Sequence, residues 1–331
     1  MTPTVRNDWT IAEVKAIYHK PVLELMLEAA NIHKQYQATG EVQVCTLLSV
    51  KTGGCPEDCS YCPQAARYHT GVEAHKLMDY AEVVDKAVIA KNAGSTRFCM
   101  GAAWRNVRDG RDFDNVIDMV KGVNALGLEV CCTLGMLTED QAARLKEAGL
   151  YAYNHNLDTS DEHYTEIIST RTYSDRLETL DNVEKAGISV CCGGIIGLGE
   201  TDDDRIKLLF TLATRPKHPE SVPVNSLVAV EGTPLAGQPK VKTWEMIRMI
   251  ATARILMPEA MVRLSAGRNE MTVEQQALCF LAGANSIFTG EKLLTTPNPD
   301  FSADQEMFAL LGLTPRESFK VETATQLAEA L

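Results

Sequence analysis

The stretch Asn92-Ala93-Gly94-Ser95-Thr96-Arg97-Phe98-Cys99-Met100 joins the end of an amphipathic segment to a short run of strand-like residues. A glycine just past a helix adopts the left-handed capping conformation at low cost, so Gly94 marks a helix end. The same succession recurs at Gly127, Gly149, Gly187 and Gly283, each followed at once by a strand candidate. Strands that alternate with helices in this way indicate parallel β-α-β units.

Eight strands are predicted in total, at residues 42–50, 95–100, 128–133, 150–156, 188–193, 222–227, 261–265 and 284–288. Eight β-α units are the number found in a (β/α)8 TIM-type barrel, so we predict an α/β fold of this type. We place the barrel at residues 41–290 of a single domain, between an N-terminal helical extension (1–40) and a C-terminal tail (291–331). A doubly wound open sheet is the alternative, which the absence of a G-x-G-x-x-G fingerprint after the first strand disfavours.

Helix starts are marked by three pairs of residues with the spacing of a capping box. These pairs are Thr10 with Glu13, Thr138 with Gln141, and Thr272 with Gln275. The first pair lies in the predicted N-terminal extension, which we expect to be helical from Thr10 to Gln37.

Composition limits the classes of partner. The chain has 331 residues, is 45% hydrophobic and carries a net charge of −12. Nucleic-acid binding needs a basic surface, so we expect no nucleic-acid partner. No apolar run is long enough to span a membrane, and residues 1–8 lack the apolar region of a signal peptide. We therefore expect a cytoplasmic protein with no membrane association.

Three of the ten cysteines stand close together in the run Cys55-Pro56-Glu57-Asp58-Cys59-Ser60-Tyr61-Cys62, with C-x3-C-x2-C spacing. An iron–sulfur cube normally takes four cysteine thiolates. Three thiolates from one loop leave one iron open to bind a small molecule, which is typical of a catalyst rather than an electron carrier. Tyr61 offers an aromatic face beside that open position.

Two other interpretations of this motif are weaker. A structural zinc site usually needs four ligands arranged as two pairs, and no second pair follows nearby. Disulfide frameworks belong to short secreted chains, which this chain does not resemble.

The alternation of side chains along three strands points polar groups toward the barrel lumen. Ordinary barrel interiors are filled with branched apolar residues, and isolated buried charges are costly. We therefore predict that a polar ligand or charged cofactor in the lumen partners these groups, with strand-end capping as the alternative for those of the fourth strand. The inward polar residues are Arg97, Cys99, Asn154, Asn156, Asp158 and Arg263.

Two cysteine pairs, Cys131-Cys132 and Cys191-Cys192, lie on other strands. Neighbouring residues of a strand face opposite sides, so one thiol of each pair enters the lumen and joins Cys99. A buried structural cysteine is the ordinary alternative at each position. Three inward thiols together predict a second metal-ligand set, although strand alternation does not choose between the members of a pair.

The C-x3-C-x2-C motif with Tyr61 resembles that of the radical S-adenosylmethionine (AdoMet) enzymes. Within them, the chain resembles the biotin synthase family along nearly its whole length. The segments that carry this closer resemblance are GSTRFCMGAAW (94–104), YNHNLDT (153–159), GGIIGLGET (193–201) and VRLSAGR (262–268).

This resemblance implies two iron–sulfur clusters. A [4Fe–4S] cluster is expected on Cys55, Cys59 and Cys62, with AdoMet on the open iron. A [2Fe–2S] cluster is expected on Cys99, Cys131, Cys191 and Arg263, which selects the first member of each cysteine pair. Three thiols depart from the family pattern beside these positions and could compete for iron: Cys45, Cys132 and Cys192.

The resemblance also implies contacts for small molecules. Asn156 and Asp158 would hold the AdoMet ribose, Arg176 its carboxylate and Ile195 its adenosyl moiety. Asn154 and Asn225 would bind the ureido ring of dethiobiotin.

The activity implied by the resemblance is the last step of biotin biosynthesis. A 5′-deoxyadenosyl radical from AdoMet takes hydrogen from dethiobiotin, and the [2Fe–2S] cluster supplies the sulfur that yields biotin. An external reductase, or an electron donor of the flavodoxin or ferredoxin type, and a homodimer are expected on the same ground. A different radical AdoMet enzyme and a non-catalytic iron–sulfur carrier are the rival functions.

Overall fold

The predicted strands lie side by side in parallel, and the last of them pairs with the first. The computed structural model describes residues 5–319 of the chain. Its first nine strands are β1 (Glu41–Lys51), β2 (Arg97–Ala102), β3 (Glu129–Thr133), β4 (Ala152–Asn154), β5 (Ser189–Cys191), β6 (Gly194–Ile196), β7 (Ser221–Ser226), β8 (Met261–Leu264) and β9 (Ser286–Thr289).

These strands close into a barrel in the order β1-β2-β3-β4-β5-β7-β8-β9, with β9 paired to β1. The short strand β6 continues beyond β5 after a break at Cys192-Gly193 and pairs with β7. The eight-stranded (β/α)8 prediction is therefore confirmed. The doubly wound alternative is wrong, because an open sheet ends in two edge strands, whereas here the last barrel strand, β9, pairs with the first, β1.

Helices α3 to α10 follow the strands around the barrel. They are α3 (Tyr80–Asn92), α4 (Arg111–Ala125), α5 (Glu139–Glu147), α6 (Asp161–Ile167), α7 (Tyr173–Lys185), α8 (Asp202–Ala213), α9 (Thr243–Leu256) and α10 (Val273–Leu281). The capping boxes predicted at Thr138 and Thr272 form at the starts of α5 and α10. No helix among residues 5–319 is long and apolar enough to cross a membrane.

The N-terminal extension forms two helices, α1 (Ile11–Tyr18) and α2 (Val22–Tyr36). Thr10 and Glu13 form the predicted capping box of α1. Helix α1 contacts α8 and α9, and α2 packs along α9. The extension therefore covers the helical layer on one side of the barrel.

The segment after the barrel is more structured than the predicted tail. It contains an antiparallel hairpin of β10 (Lys292–Leu293) and β11 (Thr296–Pro297), then α11 (Phe301–Leu311) and β12 (Thr314–Pro315). Strand β12 adds in parallel to the start of β1, with Glu41 opposite Thr314. These contacts join residues far apart in sequence, which local patterns do not reveal. The last predicted tail residues, 320–331, lie outside the described residues.

Two separate clusters of buried apolar residues lie on the two sides of the barrel wall. Phe98, Met100, Val262 and Leu264 belong to the large cluster shared with the helices. A small cluster lies on the lumen side and consists of Cys45, Cys99, Cys131, Ala152 and Phe288. The inward and outward faces of β2 and β8 are therefore as the alternation predicts.

Candidate active site

The three-cysteine loop follows β1, at the carboxyl-terminal end of the barrel. The N–H of Cys55 donates to Gln64 O at 3.0 Å, and the N–H of Ala66 donates to Cys55 O at 2.8 Å. The N–H of Cys62 donates to Cys59 O at 2.9 Å, which forms a tight turn between two cysteines. Backbone hydrogen bonds thus fold the loop that carries the three cysteines back on itself.

Asp58 anchors this loop to the segment between α6 and α7. Its carboxylate accepts hydrogen bonds from the N–H of Ser169 at 3.0 Å and the N–H of Thr170 at 3.1 Å. Burial alone raises the pKa of Asp58, but the hydrogen bonds from Ser169 and Thr170 outweigh it and lower this pKa to about 2. The N–H of Ser60 adds a bond to Ile167 O at 3.0 Å. The loop is therefore fixed to the barrel rather than free to move.

Cys55 and Cys59 of the loop are buried, and Cys62 is half-buried. Burial raises the pKa of Cys59 to about 11 and that of Cys62 to about 12. Metal binding replaces the thiol proton, so iron would stabilise the thiolates that the protein alone does not. Among the described residues, no three His, Cys, Asp or Glu side chains are close enough to hold a single metal ion. Cysteine thiolates are the usual ligands of iron–sulfur clusters, so the three loop cysteines have the chemistry that such a cluster needs.

A cavity of about 310 Å³ opens in the lumen beside the loop. Cys62 and Tyr61 line its upper end, and Cys99 and Cys131 line it from the strands. His155 also lines it, and its buried Nε2 atom has no hydrogen-bond partner among the described residues. A lumen cavity of this size is large enough to bind a small molecule.

A network of polar side chains forms one wall of the cavity. The Tyr61 hydroxyl donates to Asp158 Oδ2 at 2.8 Å, and Arg176 Nη2 donates to the same oxygen. Arg176 also donates from Nη1 to Asn156 O at 2.5 Å and from Nε to Tyr164 Oη at 2.8 Å. Asp158 has a φ of 68°, a left-handed conformation that turns its carboxylate toward Tyr61.

The remaining predicted contact residues also line the cavity. Asn154, Asn156, Asn225 and Ile195 are among its walls, at the ends of β4, β6 and β7. Asn154 Nδ2 lies 3.3 Å from the Cys191 sulfur. The Asn225 Nδ2 group donates to Gly194 O at 2.9 Å. All seven residues predicted to bind AdoMet or substrate, namely Tyr61, Asn154, Asn156, Asp158, Arg176, Ile195 and Asn225, thus surround one space.

The lumen thiols come from β2, β3 and β5, with β4 between the last two of these strands. Cys99 is opposite Cys131 in the pairing of β2 with β3, and Asn154 is opposite Cys191 in the pairing of β4 with β5. The Cys99 thiol donates a hydrogen bond to the Cys131 sulfur, which lowers the pKa of Cys131 and raises that of Cys99. Cys132 and Cys192, by contrast, belong to the outer apolar cluster.

Arg263 is fully buried beside these thiols. Its Nε donates to Ser286 Oγ at 2.9 Å, its Nη2 to Gln43 Oε1 at 3.1 Å, and its Nη1 lies 3.6 Å from the Cys191 sulfur. No carboxylate among residues 5–319 forms a salt bridge with it. A buried cation surrounded by neutral groups and thiols fits an anionic group in the lumen.

The prediction that a ligand partners every lumen charge is wrong for Arg97. This guanidinium is fully buried, but it bonds to Glu129 at 2.8 Å and to Glu220 at 2.8 and 3.0 Å. Glu220 precedes β7 and is 123 residues away in sequence, so strand alternation on β2 gave no sign of it.

Several cavity residues were not predicted. Arg171 lines the cavity, and its Nη2 lies 4.0 Å from the Cys59 sulfur. The hairpin residues Leu294, Thr295 and Thr296 cover the cavity from the segment predicted as a tail. Trp104 stands at the end of the quoted segment 94–104 and could have been found from its place just after β2.

Two family models match the chain. The Radical SAM superfamily matches residues 49–212, and the Biotin and Thiamin Synthesis associated domain matches residues 223–314. The first range holds the three-cysteine loop and the second holds Arg263.

Similar proteins cover almost the whole chain. A protein of Cytophaga hutchinsonii named biotin synthase is 69% identical over 96% of this chain and 94% of that protein. Biotin synthase of Myxococcus xanthus is 63% identical over 95% of this chain and 90% of that protein. Mitochondrial biotin synthase of Arabidopsis thaliana is 62% identical over 94% of this chain and 82% of that protein.

Solved structures share the fold at low sequence identity. Methylornithine synthase superposes with a TM-score of 0.79 at 18% identity, over 95% of this chain and 96% of that chain. The [FeFe]-hydrogenase maturase HydG superposes with a TM-score of 0.77 at 17% identity, over 92% of this chain and 72% of that chain.

Proposed function

This chain belongs to the biotin synthase family of radical AdoMet enzymes, and from that premise we propose how its residues insert sulfur into dethiobiotin to form biotin. The observation that carries the proposal is the placement of two sets of thiols around one cavity. Cys62 of the loop lines it from above, and Cys99 and Cys131 line it from the strands. A substrate bound in this cavity would lie between the loop cysteines and the strand cysteines.

Cys55, Cys59 and Cys62 would hold a [4Fe–4S] cluster whose open iron binds AdoMet. When bound, the cluster and AdoMet together supply the 5′-deoxyadenosyl radical that takes hydrogen from an unactivated carbon. The chain fixes the thiols through Asp58 and Ser60 and keeps Cys59 buried. The enclosing loops exclude water from a reactive intermediate.

Asn156, Asp158, Arg176 and Ile195 would bind AdoMet on the wall below Tyr61. Carboxylate and amide oxygens accept hydrogen bonds from ribose hydroxyls, which supports the roles of Asp158 and Asn156. Arg176 is already paired with Asp158, so it orients this carboxylate while its charge favours the AdoMet carboxylate.

Asn154 and Asn225 would hold the ureido ring of dethiobiotin. An amide side chain offers both a donor and an acceptor, which matches a ring bearing N–H and C=O groups. The two residues face the cavity from β4 and β7, on either side of the Ile195 strand.

A [2Fe–2S] cluster would be held by four residues of the lumen. These are Cys99, Cys131, Cys191 and Arg263. When bound, this group supplies the sulfur atom. Arg263 supports the proposal because it is a buried cation without a salt bridge among the described residues.

Membership of this family also suggests the domain organisation, the assembly, the location and the electron donor of the protein. We propose a single domain with the barrel at residues 41–290, a homodimer, a cytoplasmic location, and reduction by an external reductase or by a donor of the flavodoxin or ferredoxin type. The mass of the cross-linked protein would test the homodimer. Activity measured with each electron donor would test the route of reduction.

The function is tested by anaerobic reaction of iron- and sulfide-reconstituted protein with reductant, AdoMet and dethiobiotin, followed by mass spectrometry. Biotin together with 5′-deoxyadenosine is the expected result. 5′-Deoxyadenosine without biotin would instead favour another radical AdoMet reaction. If protein that contains both clusters forms neither biotin nor 5′-deoxyadenosine, that result contradicts the catalytic proposal.

A further inference from the structure

A cationic side chain lies against one thiol of the three-cysteine loop. Arg171 Nη2 is 4.0 Å from the Cys59 sulfur, and only 9% of the Arg171 side chain is exposed. Cys59 is buried as well. Charges interact most strongly where water is excluded, so this guanidinium acts on any negative charge that the Cys59 sulfur carries.

The backbone is anchored on both sides of Arg171. The N–H of Thr170 donates to Asp58 Oδ1 at 3.1 Å, which ties this segment to the cysteine loop. On the other side, Thr172 is the N-cap of α7 and accepts a hydrogen bond from the N–H of Asp175 at 3.1 Å. The chain therefore holds Arg171 in place beside Cys59.

The positive charge of Arg171 is only partly balanced. Its Nε lies 3.9 Å from Glu57 Oε2 and has no hydrogen-bond partner among residues 5–319. Glu57 is shared, because its Oε1 lies 3.5 Å from Nε of Arg105 and its Oε2 accepts a hydrogen bond from the Thr170 hydroxyl. One carboxylate between two guanidinium groups leaves a net positive charge in this group of side chains.

Resting on the proposed [4Fe–4S] cluster, we propose that Arg171 raises the reduction potential of that cluster by donating a hydrogen bond from Nη2 to the Cys59 sulfur. Reduction adds one electron to a group already held by three thiolates, and a buried cation favours the more negative state. Hydrogen bonds to the cysteine sulfurs tune the potential as well. Arg171 thus makes it easier for the external donor to reduce the cluster.

The test is a redox titration of the [4Fe–4S] signal, followed by electron paramagnetic resonance, on reconstituted full-length protein without AdoMet. We expect Arg171→Gln to lower the equilibrium constant of one-electron reduction about tenfold, a shift of about 59 mV to more negative potential. Arg171→Lys keeps the charge and should shift the potential less. Arg67→Gln is the matched control, because Arg67 pairs with Asp58 of the same loop but its side chain is 51% exposed, so solvent screens its charge.

A further variant has an expected shift of opposite sign. Glu57→Gln removes the carboxylate that offsets Arg171 while keeping the shape of a side chain that is 2% exposed. We expect its potential to rise. This variant and Arg171→Lys decide the question if Arg171→Gln does not retain the cluster.

Equal potentials in the unsubstituted chain, Arg171→Gln and Glu57→Gln would overturn the inference while leaving the cluster in place. An unchanged potential in Arg171→Gln combined with weaker AdoMet binding would also overturn it and assign Arg171 to the binding of AdoMet. An unsubstituted chain that gives no [4Fe–4S] signal after reconstitution would instead contradict the proposed cluster itself.

Discussion

The Tyr61 hydroxyl donates a hydrogen bond to Asp158 Oδ2 at 2.8 Å and thereby joins the cysteine loop to the end of β4. The two residues are 97 positions apart in sequence, yet each belongs to a segment that resembles the same family. Because Arg176 donates to the same carboxylate oxygen, Asp158 has a fixed position between the loop and α7.

Replacing Tyr61 by Phe removes this bond while keeping the ring. We expect AdoMet to bind about tenfold more weakly to the reconstituted variant, because Asp158 loses the donor that orients it; tenfold corresponds to about 1.4 kcal/mol. Equilibrium dialysis measures the effect. Tyr68→Phe is the control, since its hydroxyl bonds to Asp58 O on the same loop but away from the cavity. Equal affinities in Tyr61→Phe and the unsubstituted chain would contradict the role of this bond.

Cys59→Ala is expected to abolish AdoMet cleavage, because the loop has no other cysteine to replace the lost thiolate. Formation of 5′-deoxyadenosine is measured by chromatography. Cys279→Ala, which alters a buried cysteine of α10, should cleave AdoMet at the normal rate. A Cys59→Ala protein that is as active as this control would reject the first cluster site.

Cys191→Ser is expected to bind AdoMet normally and to form no biotin, because Cys191 belongs to the second set of thiols alone. Binding and biotin are measured on the same preparation. Cys192→Ser should still form biotin, since Cys192 packs in the outer cluster. Full activity of Cys191→Ser with loss in Cys192→Ser would exchange the assignments of the two residues.

His33 of α2 gives a pH dependence of stability away from the iron sites. Burial, with a smaller contribution from the Arg254 charge, lowers the pKa of His33 from 6.5 to about 4. The unfolded chain therefore binds this proton more readily, and the contribution to stability is complete above pH 6.5 and lost as pH falls toward 4.

The expected change over this interval is on the order of 1–3 kcal/mol. Urea unfolding of the unsubstituted chain and of His33→Leu, measured between pH 7 and pH 4, isolates it by difference. His19→Leu, at an exposed position, serves as the control. If His33→Leu and the unsubstituted chain lose stability in parallel, His33 does not cause the pH dependence.

The barrel could be predicted because its signals are local. Gly94 and Gly187 mark helix ends through backbone conformations that few other residues adopt, with φ of 96° and 71°. The alternation of Phe98 with Cys99 reports which face of β2 is inward, and the two residues do lie in different clusters.

Contacts between distant segments could not be predicted in this way. The pairing of Arg97 with Glu220 and the addition of β12 to β1 depend on how remote segments meet in space. The same limit applied to Arg171, whose position beside Cys59 comes from the anchoring of one loop to another.

The stretch after β9 touches both openings of the barrel. Its hairpin residues cover the cavity at one end, α11 is tied to the barrel by the bond between Asp304 and Arg268, and β12 pairs with the start of β1 at the other end. One continuous segment therefore contacts the barrel at both of its ends. A deletion or insertion made within α11 to loosen access to the substrate would also change the floor of the lumen beneath the sulfur-bearing strands.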